Sequence, residues 1–235
     1  MKKILFSLVA LVASMSMNAQ VMKVIKDGVE VAKYKGANYT VVFEEAPALE
    51  KTGTAKRTGD IDVNWVQLWE DGPRFAEYNV GAESASEYGG HYAWGGFTDN
   101  SKSDVNTSRT DLTGDTDTAT KLWGSNWRMP TKDEYDALVA NCTKEWKTVN
   151  GMQGYMITGQ GDYSSNSVFF PAAGEIMVRP PMPNRWESKD EFGKYWSSTP
   201  ASDYSYVFTF NSSWQYLVTN TNPAQIFSVR AVLTE

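Results

Sequence analysis

"WGSNWRMPTKDEY", residues 123–135, carries the densest local information in the chain. Gly124 closes one helix, because glycine is the residue best suited to the left-handed turn past a helix end. Pro130 and Thr131 open the next. Thr131 followed three residues later by Glu134 is a capping box, in which each side chain satisfies a backbone N–H that the helix leaves without a partner. The spacing predicts a helix over 132–141, with Tyr135, Leu138, Val139 and Cys142 as its buried stripe at i, i+3, i+4 and i+7. Upstream, residues 117–123 read as a shorter helix with Ala119, Leu122 and Trp123 on one face. Trp123, Trp127 and Tyr135 are expected to fill the corner where both helices meet a sheet. Arg128 is expected to tie that corner through backbone carbonyls or a carboxylate. Cys142 reads as a small buried hydrophobe, since nothing near it in sequence would activate a thiol.

Beyond that corner the pattern turns to short strands: 154–158, 167–172, 194–198, 204–210, 214–219 and 227–233. "GQGD" (159–162) is a loop between two of them, and "NSS" (211–213) a hairpin connection. A long irregular segment, 174–193, interrupts the series. Toward the N-terminus, "MKVIK" and "VEVAKY" flank Asp27-Gly28, a two-residue hairpin signal, and "YTVVFE" supplies a third strand. These predict a small β meander over 20–44. Residues 45–60 lack periodicity and read as a linker. Residues 1–19 combine a Lys2-Lys3 start, an apolar run from Ile4 to Val12 and a small-residue end at Ala19. That is the form of a secretory signal peptide. The expected location is therefore outside the cytoplasm: extracellular, cell surface or periplasmic. The run is too short for a bilayer span of roughly 20 residues, and no other stretch is apolar enough.

Composition narrows the chemistry. A net charge of -6 and a pI near 5.0 argue against nucleic acid as the main partner. One cysteine cannot form an internal disulfide, so packing must hold an exported chain together. Nine Trp, twelve Tyr and ten Phe can supply that packing. A single histidine, His91, cannot furnish a multi-histidine metal site. A Ser-His-Asp triad would have to use it, and no Gly-x-Ser-x-Gly elbow is present. Glu175, Glu187, Asp190 and Glu191 could include a glycosidase pair, but solvated loop charges are the simpler account. The acidic run 99–117, with five Asp and two Asn, matches no complete calcium loop and reads as a solvated loop. No cofactor and no metal is implied.

Six ordered motifs bring a family into view: "EYNVGAESASEYGGHYAWGG" (77–96), "DTDTATKLWGSNWRMPTKDEYDALVANCTKEW" (115–146), "NGMQGYMITG" (150–159), "SVFFPAAGE" (167–175), "YWSST" (195–199) and "FSVRAV" (227–232). Over 61–235 the chain resembles the Fibrobacter succinogenes major paralogous domain, abundant in secreted and surface proteins of Bacteroides-type bacteria. The resemblance implies an α+β fold of C-type-lectin-like form: two short helices on small antiparallel sheets, here preceded by the N-terminal meander. The opening stretch is also distantly similar to formylglycine-generating-enzyme domains. Their paired cysteines, and the several histidines of iron-dependent relatives, have no counterpart here. The sugar-binding calcium site of C-type lectins is not matched either: Pro183-Asn184 has no acidic residue before it, and "YWSST" lacks Asn-Asp.

What remains is a surface for stacking and hydrogen bonding. Sugar rings expose apolar faces that flat aromatics complement, while Asn and Arg meet hydroxyls. The 174–193 segment carries Arg179, Asn184, Arg185 and Trp186, with Pro180, Pro181 and Pro183 limiting its freedom. Trp214 and Tyr216 alternate on a late strand and share a face. These six residues are the expected ligand contacts. The expected function is a non-catalytic recognition module for glycan or surface protein. The alternative is a structural or terminal subunit of a surface assembly, docking partner subunits through its N-terminal strands. An enzyme of lectin-like fold ranks last.

Overall fold

The computed structural model describes residues 2–7, 11–15, 21–26, 29–35, 39–44, 50–177, 181–213 and 217–234, with side chains from residue 50 onward except those of Leu217 and Val218. The chain divides into two compact units, Met1–Glu50 and Lys51–Glu235.

The first unit is built from β1 (Lys2–Ser7), β2 (Leu11–Met15), β3 (Val21–Lys26), β4 (Val29–Lys35) and β5 (Tyr39–Glu44). β3 and β4 pair antiparallel, as the hairpin signal predicts, although Asp27-Gly28 itself lies outside the described residues. The third strand is not β5. The sheet order is β2-β3-β4, and β5 instead pairs in parallel with β1. The apolar run that reads as a leader thus supplies two strands, each satisfying backbone groups that the meander reading left open. The cleavage position Ala19, residues 36–38 before "YTVVFE" and residues 45–49 of the linker also lie outside the described residues.

The second unit begins with β6 (Thr52–Arg57), β7 (Ile61–Gln67), β8 (Arg74–Asn79) and β9 (His91–Tyr92). The helical corner follows: α1 (Thr118–Trp123), β10 (Trp127–Arg128) and α2 (Lys132–Asn141). Then come β11 (Thr143–Val149), β12 (Met152–Thr158), β13 (Ser167–Pro171), β14 (Glu175–Met177) and β15 (Arg185–Glu187). The last strands are β16 (Phe192–Ala201), β17 (Tyr204–Asn211), β18 (Leu217–Thr221), β19 (Phe227–Ser228) and β20 (Arg230–Leu233). They form sheets β10-β20-β8-β7-β6, β11-β12-β13, β14-β15 and β18-β17-β16-β19-β9. Two short α-helices on small, mainly antiparallel sheets make this an α+β unit.

Part of the expected linker is a strand. Thr52–Arg57 pairs along its whole length with β7 around the turn Thr58-Gly59-Asp60. Gly53 and Trp65 are cross-strand partners, and the indole of Trp65 lies over Gly53, where a Cβ would come within 2.7 Å of the ring. Glycine here lets a large aromatic cover a thin strand. The expected single strand 227–233 is two. Val229 separates β19 from β20, and the chain passes from one five-stranded sheet to the other.

The opening stretch folds as its residues dictate. Thr131 Oγ1 accepts from Glu134 N while the Glu134 carboxylate accepts from Thr131 N, completing the capping box. Asp117 caps α1 by accepting from Thr120 N, and its second oxygen accepts from Met129 N. Burial pushes this carboxyl above the usual range, against those backbone bonds that hold its charge. Trp127 and Tyr135 are fully buried, and Cys142 is a buried free thiol pushed by burial up to about 11. Arg128 does both things expected of it. It meets Glu134 with two nitrogens at 2.8 and 2.6 Å, and donates to Met129 O at 3.2 Å.

One core cluster gathers Trp65, Tyr78, Trp94, Trp123, Trp127 and Trp196 under α1; the other gathers Phe75, Tyr135, Phe170, Tyr195, Phe208 and Phe210 under α2. At the second stands Arg230, 0 % exposed, with no carboxylate on its guanidinium among the hydrogen bonds described. Nε donates to Asn79 Oδ1, Nη1 to the carbonyls of Ala76 and Glu77, and Nη2 to that of Phe169, each at 2.8 Å. The cation also sits 4.5 Å from the centre of the Phe170 ring. The phenol of Tyr195 donates to Pro171 O at 2.6 Å and accepts from Asn79 at 3.2 Å. Lysine cannot reproduce this fork. Arg230→Lys should therefore destabilise the second unit by about 3–5 kcal/mol, the cost of breaking a buried charged network. Trp127→Ala should cost a similar ~3–5 kcal/mol through cavity formation. Urea unfolding of each variant measures both, and a midpoint equal to that of the parent chain would remove the residue from the set that holds the fold.

Candidate functional site

Three of the six expected contacts fall in the described structure: Asn184, Arg185 and Trp186. Arg179, Trp214 and Tyr216 lie outside it. The three share the β14–β15 ribbon, but not one surface. Strand alternation sets Trp186, opposite Ile176, on one face. Arg185 and Glu187, opposite Met177 and Glu175, stand on the other.

One carbonyl anchors two side chains beside the ribbon. Ala173 O accepts from Trp186 Nε1 at 2.5 Å and from His91 Nε2 at 2.9 Å, filling both lone pairs. Gly174 follows with φ +69°, and a Cβ there would lie 2.3 Å from Glu187 O. Only glycine lets the two strands of the ribbon approach this closely. The indole of Trp186 meets Tyr88 edge-on at 5.3 Å and His91 at 5.2 Å. Lys189 Nζ stands 4.5 Å from the Tyr88 ring centre and 5.1 Å from that of Trp186. The Tyr88 hydroxyl donates to Asp190, whose same oxygen accepts from Gln153 N at 2.9 Å. Burial first and the Asp190 carboxylate second push the Tyr88 phenol well above its ordinary value. Trp186 is 41 % exposed all the same. This exposed indole is fixed by a hydrogen bond and two edge contacts, so little of its freedom remains to be lost.

The opposite face of the ribbon borders a cavity of 330 Å³ lined by Met177, Met182, Pro183, Asn184, Arg185 and Glu187. Arg185 is largely exposed, with Nε 3.9 Å from Glu187. Asn184 is less free than its position suggests, because its amide donates to Asn100 O at 2.7 Å. Glu175 and Glu187 face each other across the ribbon, and Glu175 is paired with Lys194 at 2.8 Å.

The acidic run is no simple solvated loop. Asp99 accepts from His91 N at 2.7 Å, Asp104 from Phe97 N and Thr98 N at 2.8 Å, and Asp117 caps α1. These carboxylates fold the excursion back on itself. Among the described residues, no three His, Cys, Asp or Glu side chains converge as a metal site requires, and no helix is long and apolar enough to cross a membrane.

Comparison of the chain with protein-family models, with characterised proteins and with solved structures gave no match.

The sequence reading overlooked a larger cavity. A groove of 570 Å³ runs between β6–β7 and the outer face of β11–β13, with Trp65, Asn64, Asn150, Asn166 and Phe169 in its lining. Asn64 donates to Glu77 at its edge, at 2.9 Å. The linker reading of 45–60 hid it by removing one wall. The Gly59-Asp60 pair beside the alternating "IDVNWVQ" was the signal that β6 and β7 form a hairpin.

His91 is 3 % exposed, and burial lowers its pKa from the ordinary histidine value, so the ring is neutral with its proton on Nε2 facing Ala173 O. The unfolded chain takes up the proton first, near pH ~6.5. The neutral ring's contribution is therefore complete above that pH and is lost as pH falls below it. Stability measured by urea titration should decline below about pH 6.5, and the decline should be shallower in His91→Gln. Parallel profiles for the two chains would mean that His91 does not titrate on unfolding.

Proposed function

We propose that this chain is an exported recognition module of lectin-like form, resembling the Fibrobacter succinogenes major paralogous domain, that binds glycan on the Trp186 platform. The observation that carries this reading is the combination at Trp186: an indole two-fifths exposed, yet fixed by Ala173, Tyr88 and His91. Core tryptophans need no such exposure, and adventitious surface tryptophans lack such bracing. Lys189 and Asp190 beside it provide a donor and an acceptor for hydroxyls. Arg185 and the cavity behind the ribbon lie on its other face and take no part in this contact surface. The absence of a converging acidic set among the described residues leads to the expectation that binding does not depend on calcium.

The test is a glycan array with the purified chain, run with and without EDTA. Binding to a defined set of glycans, unchanged by EDTA, is expected. Trp186→Ala should weaken it by about tenfold or more, since stacking and ordering together amount to more than 1.4 kcal/mol. Unchanged circular dichroism in that variant checks that the fold is intact. No glycan bound under any condition, or full binding by Trp186→Ala, would overturn the glycan reading.

A second reading, as a subunit of a surface assembly, draws on the first unit. Signal-peptide cleavage after Ala19 would remove β1 and β2. β5 would then lose the strand it pairs with, and β3 its outer neighbour. Unpaired backbone edges of this kind recruit a strand from another chain. The processed chain should then associate, and a chain starting at residue 51 should not. Light scattering that finds both monomeric would remove this reading.

A further inference from the structure

The β16–β17 hairpin ends in Ser202-Asp203-Tyr204, and the loop 106–109 lies against it. Between them is a cavity of 260 Å³ that shares no lining residue with the Trp186 ribbon. Its lining is unusually rich in hydroxyls: Thr107, Ser108, Ser202, Tyr204 and Ser205. Asn106 adds an amide, and Trp94 forms an apolar wall whose own N–H is spent on Ser197 O at 2.8 Å. Arg109 and Asp203 pair at 2.5 Å, with both side chains about 70 % exposed (73 % and 72 %).

One residue of the lining holds a polar atom that the protein leaves unsatisfied. Ser205 is 1 % exposed, and its Oγ is buried without a hydrogen-bond partner. A buried hydroxyl left unmatched costs roughly 1–3 kcal/mol. A fold retains such a group at little net disadvantage when a ligand or water completes it.

We propose that this cavity is a second binding site, for a single neutral polyhydroxyl ring such as a monosaccharide or the terminal sugar of a chain. Charge argues for neutrality, since the one cation and one anion of the lining already compensate each other. Size argues for one ring, because 260 Å³ falls below the roughly 300 Å³ at which sites for drug-sized ligands begin. Chemistry argues for hydroxyls. The hydroxyls of Thr107, Ser202 and Tyr204 can each donate to and accept from an OH group, and the Arg109–Asp203 pair offers a donor and an acceptor side by side, the spacing that two adjacent hydroxyls complete. Tyr204, 52 % exposed, supplies an aromatic face at the rim for the ring's C–H surface. No metal takes part, which sets this site apart from calcium-mediated sugar binding. The site does not rest on the Trp186 reading, and either can hold without the other.

The experiment is amide-resolved NMR titration of the full chain with free glucose, galactose, mannose and N-acetylglucosamine, each at millimolar concentration, and separately with inorganic phosphate. At least one sugar should shift amides of 106–109 and 202–205 saturably. Arg109→Gln should weaken that binding by about tenfold, the effect of one lost charged hydrogen bond. Tyr204→Ala should weaken it as well, through loss of the aromatic face at the rim. Trp186→Ala should leave it unchanged. A titration in which phosphate alone moves these amides would overturn the proposal in favour of an anion site. No shift with any sugar would overturn it outright, and so would a sugar response that Arg109→Gln leaves intact.

Discussion

The second unit depends on a cation that has no business in a protein core unless every donor is met. Desolvating a guanidinium costs several kcal/mol, and Arg230 recovers it through acceptors fixed on two neighbouring strands. β8 supplies Ala76, Glu77 and Asn79; β13 supplies Phe169 and the ring of Phe170. Asn79 in turn donates to Tyr88 O and to the Tyr195 hydroxyl. Strands of three separate sheets therefore meet at one side chain. A fork with fixed directions reinforces the register that burial of one face already specifies, because a one-residue slip of β8 or β13 would withdraw a carbonyl from the guanidinium.

The same economy places the Trp186 platform. Asn79 holds Tyr88 O, and Tyr88 holds Asp190 and braces Trp186, so the rigid core and the exposed ring are joined through few intermediaries. Ala173 O then fixes the indole and the imidazole together. The position of an exposed aromatic is thus inherited from buried polar contacts rather than from the irregular segment that carries it in sequence.

Local signals were readable and non-local ones were not. The capping box at Thr131 and Glu134, the stripe of α2, the burial of Trp127 and Cys142, and most late strands are encoded within a few residues, and the structure has them. β6 was missed because Thr52–Arg57 contains little that is apolar: it is an edge strand whose partner, β7, supplies the large side chains. Arg230 gave no sign in sequence of being the hub, since the groups it meets come from residues around 76–79 and 169. The alternation that separates Trp186 from Arg185 requires knowing that the segment forms a ribbon, and its three prolines argued instead for an irregular loop. The hairpin-tip cavity was equally invisible, because Arg109 and Asp203 are distant in the chain and Ser205 is one serine among many.

The place of Arg230 in the chain also governs when the protein can fold. β20 lies between β10 and β8, so the last strand completes the interior of the sheet and does not extend its edge. Its guanidinium bonds to Asn79 across 151 residues of sequence. A growing polypeptide cannot close this sheet until residues 230–233 have emerged, and contacts of such separation form slowly. Until then β10 and β8 lack the strand that lies between them, and the acceptors of the Arg230 guanidinium wait for it. If the chain is exported, as proposed above, lateness of this kind would keep it in a threadable form until it has crossed.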